Sequence, residues 1–373
     1  MCLKLHFLSL AGYCSYNTDI NTNKIYLNNL NVIIGANGAG KSNLVSFLQM
    51  LSSMMSRGLR HYTALHGGVD SLLYFGQKST DTISGNLHII DDENDRKNDY
   101  CFSLCPSSNG QFFFTKEQLY SQPHNKEYET FQLDFGNGHF ESNMLDTDHD
   151  YVRHFCNYLK QLRVFHFNDT SLRSAMRKPV NMVDNVQIRS DGGNIAAFLW
   201  RMREENFPYY QRILRYVRMI TPQLADFYLQ EELGRQISLR WQVVGGEEIL
   251  GAHQMSDGAL RFIALTALLL QPPDTAPPTI ILDEPEIGLH PHALAILSNE
   301  IRMAAKNSQI IVATQSPLLL NHFSADDVIT AEYDHTQRRS VLRRQSEEKL
   351  SEWLKDYSLG ELWEKNVLGG TPL

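Results

Sequence analysis

Glycines, a lysine and a serine are spaced for phosphate binding in residues 35–42, which read GANGAGKS. Glycines let backbone N–H groups approach phosphate oxygens, and the N-terminus of a following helix favours negative charge. In such a loop the lysine reaches the β and γ phosphates and the serine hydroxyl binds Mg²⁺. We therefore predict a nucleotide-binding loop formed by Asn37, Gly38, Ala39, Gly40, Lys41, Ser42 and Asn43.

Two adjacent carboxylates end a second string, TIILDEPE at residues 279–286. Its apolar residues predict a buried strand, and open α/β sheets bind ligands at the carboxyl ends of their strands. Phosphoryl transfer depends on a metal and on an oriented water more than on covalent help. We predict that Asp283 holds Mg²⁺ together with Ser42, and that Glu284 polarises the attacking water.

A small polar turn precedes an apolar helix in a third string, QMSDGALRF at residues 254–262. A glycine-bearing turn at a helix N-terminus is another place where anions bind. We predict that Ser256, Asp257 and Gly258 contact a phosphate group. Because an extra carboxylate near a phosphate is costly, we expect Asp257 to cap the helix.

The elements that must position these strings can be identified from periodicity. Residues 31–34 predict a buried strand that runs into the glycine loop, and residues 43–55 have apolar positions at helical spacing. The last third alternates strand, helix and strand, which predicts a parallel sheet with right-handed crossovers. We divide the chain into an N-terminal part of the core, a β-rich lobe, a helical insertion and a C-terminal part of the core, at residues 1–67, 68–150, 151–235 and 236–373.

Composition limits the possible classes of protein. The chain has 34 Lys and Arg against 42 Asp and Glu, a net charge of −8, which argues against non-specific coating of nucleic acid. Five irregularly spaced cysteines predict no disulfide framework, and no apolar run is long enough to span a membrane. We expect a cytoplasmic protein. The arginines between Arg338 and Arg344 fit either a solvated face or a nucleic-acid patch.

The order of the three strings resembles that of ABC-type ATPase heads. The sequences QMSDGALRF, ILDEPEIGLHP and VATQSP are similar to the SMC/RecF-like branch, and to compact bacterial AAA-type ATPases related to the heads of OLD nucleases. The resemblance implies an α/β ABC-ATPase head with a mixed or parallel core sheet around the P-loop, plus a β-rich lobe and a helical insertion. It also implies ATP and Mg²⁺ as cofactors.

The resemblance implies a composite site as well. In such heads two copies enclose two ATP molecules, so Ser256 and Gly258 of one copy would contact the γ-phosphate bound by the other. This predicts a homodimer or higher homo-oligomer. Gln315 stands at the switch position where the family commonly has histidine, and it cannot carry positive charge, which predicts slow turnover or a switch-like rather than processive role. Gln77 is a candidate Q-loop metal ligand. His166, Asn168 and Asp169 either line the site or form an ordinary turn.

The resemblance also bears on biological role. Residues 43–255 contain no sustained heptads, and residues 317–373 are too few for an appended nuclease domain. We therefore expect an ATPase that acts as a sensor or regulatory switch for a separate effector, a nuclease or toxin, in anti-phage defence. The alternative is a DNA-repair clamp of the RecF type that binds DNA, although the acidic composition weakens it. A transporter subunit and a P-loop kinase fit the signature strings less well.

Overall fold

The computed structural model describes residues 3–123 and 130–370. Residues 1–2, 124–129 and 371–373, which fall within three of the four expected segments, lie outside the described residues. The strands are β1 (Leu3–Ala11), β2 (Lys24–Tyr26), β3 (Leu30–Ile34), β4 (Ile83–Asp91), β5 (Arg96–Pro106), β6 (Phe112–Pro123), β7 (Phe131–Asp134), β8 (Arg163–Phe165), β9 (Val180–Asn181), β10 (Leu224–Phe227), β11 (Gln236–Ile237), β12 (Arg240–Val243), β13 (Ile249–Gly251), β14 (Thr279–Asp283), β15 (Gln309–Thr314), β16 (Val328–Asp334) and β17 (Arg339–Arg344). The helices are α1 (Lys41–Met54), α2 (Leu59–Leu65), α3 (Val69–Leu72), α4 (Asp150–Lys160), α5 (Ile195–Glu205), α6 (Phe207–Ile220), α7 (Asp257–Leu269), α8 (Pro291–Ala304), α9 (Pro317–Leu320), α10 (Glu347–Leu350) and α11 (Leu359–Glu364).

A mixed six-stranded sheet forms the core, in the order β17-β16-β3-β15-β14-β8. The pairs from β16 to β8 are parallel, and β17 is antiparallel to β16 at one edge. The expected α/β class with a mixed core sheet around the P-loop is confirmed.

The register of the core sheet brings three strand ends to one edge. Ile34 pairs with Thr314, and Asp283 pairs with Ala313. Since the strands are parallel, the residues that follow β3, β14 and β15 emerge side by side. These are the beginnings of the P-loop, of the Asp-Glu string and of the switch string.

Both faces of the core sheet are covered, which explains why its strands are apolar at nearly every position. In β15, Ile310 and Val312 pack into one hydrophobic cluster, whereas Ile311 and Ala313 pack into another. The first cluster contains residues of α5, α6, α7 and α8, and the second contains residues of α1 and of the strands β1, β4, β5 and β6. Helix α1 thus begins at the P-loop and has its buried face fixed beneath the core sheet.

The strands expected between residues 68 and 150 form an antiparallel sheet, ordered β2-β1-β4-β5-β6-β7. Strand β4 alternates buried and half-buried residues along its length, as a strand with one covered face should. Two N-terminal strands, β1 and β2, complete this sheet.

The helices expected in the middle of the chain occur as α4, α5 and α6. However, β8 lies between them and is the edge strand of the core sheet next to β14. The single strand expected at residues 236–244 is divided into β11 and β12, which belong to different small sheets. We keep the four-segment division as a proposal.

The C-terminal residues return to the core. The Ala36 N–H at the start of the P-loop donates to the Gly370 carbonyl oxygen at 2.7 Å. The side-chain amide of Gln345, which directly follows β17, donates to the Leu368 carbonyl at 3.2 Å. Tail and P-loop are therefore in direct backbone contact. Within the described residues, no helix has the length and apolar character needed to cross a membrane.

Candidate nucleotide site

The P-loop connects β3 to α1 through backbone that requires glycine. Gly40 immediately precedes the helix with φ of 105°, in the left-handed region, and a side chain there would collide with Ser340. A Cβ on Gly35 would collide with the Ala331 carbonyl oxygen, so the loop lies flat against β16. The first turn of α1 therefore points its free N–H groups towards the loop, as phosphate binding needs.

Lys41 is buried and held at this loop. Its ammonium donates to the carbonyl oxygens of Gly35 at 2.5 Å and Ala36 at 3.0 Å. Burial lowers the pKa of Lys41, while the carboxylates of Glu284, Asp283 and Glu286 act in the opposite direction. Buried cations need such partners, so Lys41 is placed by the loop and by the acidic string together.

A cleft at this edge of the sheet brings most of the expected nucleotide residues together. Its lining consists of Ala36, Asn37, Gly38, Gly40, Lys41, Ser42, Asn43, Glu284 and Gln315. Ala39 is buried instead, and its N–H donates to the Ala36 carbonyl at 3.2 Å. The cleft thus combines phosphate-loop backbone with one lysine, one carboxylate and three side-chain amides.

Asp283 is the last residue of β14, beside the cleft. Its carboxylate lies 3.5 Å from Nδ1 of His166, which follows β8. Burial raises the pKa of Asp283; His166 lowers it and Glu284 raises it further. Of the string at 165–171, His166 therefore reaches the site. Asn168 presents its carbonyl to Arg261, and Asp169 closes a turn with the Ser171 N–H at 3.1 Å.

The oxygen donors available here suit Mg²⁺. Within residues 3–123 and 130–370, no group of three or more His, Cys, Asp and Glu side chains could hold a metal unaided. Mg²⁺ characteristically takes one or two protein oxygens and completes its octahedron with waters and substrate phosphates. The Ser42 hydroxyl and the Asp283 carboxylate fit that donor set.

Glu284 adopts a strained backbone conformation, with φ of 48°. Its N–H donates to the Ala313 carbonyl at 2.8 Å, which continues the pairing of β14 with β15 by one residue. The side-chain amide of Gln315 donates to its carboxylate. Non-glycine residues with positive φ cost free energy and concentrate at functional sites. Glu284 and Gln315 are thus fixed together at the cleft.

A third carboxylate, Glu286, received no role from the sequence. Its Oε1 accepts from the Thr314 hydroxyl at 2.6 Å and from the Gln315 N–H at 3.0 Å, while its Oε2 is buried without a partner. Burial is the main reason that its pKa is raised. Glu286 therefore ties the switch to the turn after β14. The sequence feature that could have indicated it is its position shortly after the buried strand, two residues beyond Glu284.

The Ser256–Gly258 turn begins α7 and does not line the cleft. Ser256 caps the helix, since its hydroxyl accepts from the Ala259 N–H at 3.3 Å. The expected capping by Asp257 is wrong. Its carboxylate instead accepts from the Arg177 guanidinium at 2.8 Å, because Asp257 is the first helical residue and Ser256 already occupies the cap.

Arg261 connects the start of α7 to two neighbouring loops. Its buried guanidinium donates to the carbonyls of Phe167, Asn168 and Ile287. Gly258 packs against the turn after β14 so closely that a Cβ would lie 2.6 Å from the Gly288 carbonyl oxygen. The Ser256–Gly258 turn is therefore packed against the segment that follows Asp283 and Glu284 in the same chain, although it does not line the nucleotide cleft.

Two other sequence-based candidates lie elsewhere. Gln77 is in an exposed turn after α3, where its N–H donates to the Asp70 carboxylate at 2.8 Å, and it does not line the cleft. The arginines from Arg338 to Arg344 do not form one basic face. Arg344 is turned inwards onto the Tyr26 and Asp326 carbonyls, and Arg343 pairs with Glu332 at 3.1 Å.

The model of one protein family, described as "AAA domain, putative AbiEii toxin, Type IV TA system", matches residues 30–131 and 57–321. The second match alone spans 265 of the 373 residues. The chain belongs to this AAA-domain family. No curated protein matches the sequence.

Solved structures place the fold among SMC heads. One is an SMC head bound to the C-winged helix domain of ScpA, with 16% identity and a TM-score of 0.59 over 93% of this chain and 99% of that one. Another is the SMC head with an extended coiled coil bound to the C-terminal domain of ScpA from Pyrococcus furiosus, with 14% identity and a TM-score of 0.56 over 95% and 99%. The AAA-domain protein thus has the fold of an SMC head, and the resemblance inferred from its motifs is confirmed.

Proposed function

We propose that this AAA-domain protein binds and hydrolyses ATP with Mg²⁺, and that two copies close around the nucleotide to form a switch for a separate effector. The observation that carries the proposal is the convergence of Lys41, Glu284 and Gln315 on one cleft. The Ser256–Gly258 turn does not line this cleft, and we infer that a second molecule supplies it to complete the phosphate contacts.

The cleft supports the following division of roles. Loop N–H groups and the Lys41 ammonium would bind the β and γ phosphates. Mg²⁺, held by Ser42 and Asp283, would supply charge neutralisation of the phosphates. Glu284 would accept a hydrogen bond from the attacking water and orient it, and the Gln315 amide would donate to the water or the γ-phosphate. Such preorganised dipoles act on charge that develops in the transition state.

The second copy would complete the site with Ser256 and the N–H groups at the start of its α7. Helix α7 has 13 residues, and the positive end of its dipole at the N-terminus favours a negatively charged γ-phosphate. The isologous arrangement places two nucleotides in one interface, so ATP would stabilise the dimer and hydrolysis would release it.

The effector role rests on the family resemblance. The family description mentions a toxin–antitoxin system. We infer that the ATP-dependent change of shape is transmitted to a nuclease or toxin encoded beside this chain, in anti-phage defence. Retention of the adjacent gene product on the ATP-bound dimer, but not on the monomer, would be the supporting result in co-purification.

A single variant tests the core of the proposal. Glu284→Gln removes the water-polarising carboxylate but keeps a hydrogen-bonding side chain, so it should bind ATP, fail to hydrolyse it and accumulate as a dimer. Light scattering with and without ATP reports the mass. The matched control is Glu284→Gln combined with Ser256→Arg, which should bind ATP and stay monomeric. A Glu284→Gln protein that is monomeric with bound ATP would overturn the sandwich.

A further inference from the structure

Three loops meet beside the P-loop and are not used by the proposed hydrolysis. They are residues 12–16, residues 73–76 and the turn between β16 and β17. The Tyr74 N–H joins the first two loops by donating to the Gly12 carbonyl at 3.0 Å. The Cys14 N–H donates to the carbonyl of Leu72, the residue before the second loop, at 2.8 Å. The Tyr74 hydroxyl joins the second to the third by donating to the Arg338 carbonyl at 3.0 Å.

This three-loop cluster borders the cleft at Asn43. The Asn43 side chain, which lines the cleft, donates to Ser15 Oγ at 2.7 Å, and the Ser340 hydroxyl donates to the same atom at 2.6 Å. The Tyr16 hydroxyl donates to the Gly40 carbonyl at 3.0 Å. The cluster is therefore anchored to the loop–helix junction, while Glu284 and Gln315 directly follow the strands β14 and β15.

Each loop of the cluster contributes one non-glycine residue in the left-handed region. Their φ values are 49° for Cys14, 55° for Phe75 and 56° for Arg338. Positive φ is uncommon for any side chain and is an outlier for a bulky one such as phenylalanine. Backbone strain of this kind persists only where the surrounding structure imposes it, and it concentrates at ligand sites. Glu284, in the cleft itself, shares the feature.

Two of these strained residues, Phe75 and Arg338, place an aromatic ring and a guanidinium at the surface. The Arg338 guanidinium lies over the Phe75 ring at 4.4 Å from its centroid, and the Tyr74 ring meets Phe75 edge-on. Phe75 is 48% exposed. The neighbouring Arg339 guanidinium has one buried nitrogen without a hydrogen-bond partner. Aromatic faces and guanidinium planes are the protein groups on which nucleobases stack, and a cation–π contact from arginine adds to that stacking.

We propose that Phe75 and Arg338 form the nucleobase-binding platform of the nucleotide cleft. The inference rests on the proposed function, since it concerns the base of the same bound nucleotide. With its terminal phosphate at Glu284 and Gln315, the ligand passes the loop–helix junction and its base reaches the three-loop cluster beyond Asn43. Stacking recognises the flat face common to all bases, so ATP and GTP should bind with similar affinity.

Calorimetric binding of ATP and of inorganic tripolyphosphate, each with Mg²⁺, tests the platform. Wild-type protein should bind ATP more tightly than tripolyphosphate. Phe75→Ala should weaken ATP binding by roughly 5- to 150-fold, the range for one stacked base, and leave tripolyphosphate binding unchanged. Phe75→Tyr should retain ATP affinity because it keeps the ring. The matched control is Phe207→Ala, at a phenylalanine 53% exposed on α6, which should bind both ligands as the wild type does.

The remaining outcomes would overturn the inference and also identify what failed. If Phe75→Ala leaves ATP affinity unchanged, or weakens the binding of ATP and tripolyphosphate equally, Phe75 does not stack on the base. It would then stabilise the loop or contact a second copy. Wild-type protein that binds both ligands equally would exclude the platform and keep the phosphate site. If wild-type protein binds neither ligand, the proposed function fails and the platform fails with it.

Discussion

The side-chain amide of Gln315 donates a hydrogen bond to the carboxylate of Glu284. The two residues follow β15 and β14, neighbouring parallel strands, so the contact spans the edge of the core sheet. Gln315 is a neutral donor beside a carboxylate that is proposed to orient water. Gln315 therefore has no titratable proton to offer the γ-phosphate, unlike a histidine at the same position.

Gln315→His should raise the rate of ATP hydrolysis, by about tenfold, since a cationic donor stabilises charge that develops on the phosphate. The gain should be largest at low pH and disappear as pH rises through the imidazole pKa, which Glu284 raises by its proximity. Steady-state phosphate release across pH measures this. The control is Gln315→Asn, which keeps an amide that is one methylene too short. An unchanged rate in Gln315→His would contradict the idea that glutamine slows turnover.

Glu286→Ala should destabilise the fold and slow hydrolysis. It leaves the Thr314 hydroxyl and the Gln315 N–H without their shared acceptor, a loss of about 1–3 kcal/mol in the free energy of unfolding. Glu286→Gln keeps one acceptor oxygen and should lose much less. Urea unfolding measures stability, and the ATPase rate reports whether Gln315 is still placed. Equal stability of the two variants would show that Glu286 does not hold the switch.

Gly258→Ala should prevent ATP-dependent dimerisation while leaving ATP binding intact. Its Cβ would lie 2.6 Å from the Gly288 carbonyl oxygen, so the first turn of α7 must move away from the turn after β14. The matched control is Gly246→Ala, whose nearest neighbour would be 3.8 Å away. Light scattering of each variant in the Glu284→Gln background gives the dimer fraction. A normal dimer from Gly258→Ala would contradict the placement of the signature turn at the interface.

The buried carboxyl group of Glu300 should make the free energy of unfolding depend on pH. It is fully buried on α8, accepts from the Thr266 hydroxyl at 3.0 Å and 3.1 Å, and burial raises its pKa well above the ordinary 4.5. The folded state therefore favours the protonated form. Its stabilising contribution is complete below pH 4.5 and is lost as pH rises towards the raised folded pKa, by about 1.4 kcal/mol per pH unit.

Glu300→Gln should remove this loss, because the amide stays neutral and still accepts from Thr266. The variant should become progressively more stable than the wild type as pH rises above 4.5. Urea titrations at several pH values measure the difference. Glu204→Gln, at an exposed position on α5, is the control and should show no such trend. Parallel stability curves for Glu300→Gln and wild type would contradict a raised pKa at Glu300.

Much of the nucleotide cleft could be predicted because local chemistry and strand periodicity determine it. The P-loop needs glycine geometry at Gly40, and Asp283 needs only the end of a buried strand. Convergence of Lys41, Glu284 and Gln315 then follows from parallel pairing. These features depend on short segments, whose patterns survive in a single sequence.

The missed features depend on contacts between distant segments. The partner of Asp257 is Arg177, 80 residues earlier, and nothing in either local pattern indicates the ion pair. Gln77 is a candidate from its position after the first helix and near a likely strand, yet it lies outside the cleft, where the residues around Tyr74 bond to the loop after β1. Strand β8 has three residues, too few for a periodic signal, and its place beside β14 is set by packing.

The hydrogen bond from Ala36 to Gly370 has a consequence for biosynthesis. It closes a ring of 334 peptide units, since 334 is the separation of the two positions, so the P-loop obtains this partner only after nearly the whole described chain has been translated. Such distant closures are slow and costly in chain entropy. During translation, α1 can form early, but the loop that precedes it would lack its final backbone restraint. Nucleotide affinity should therefore develop late, once Gly370 has left the ribosome.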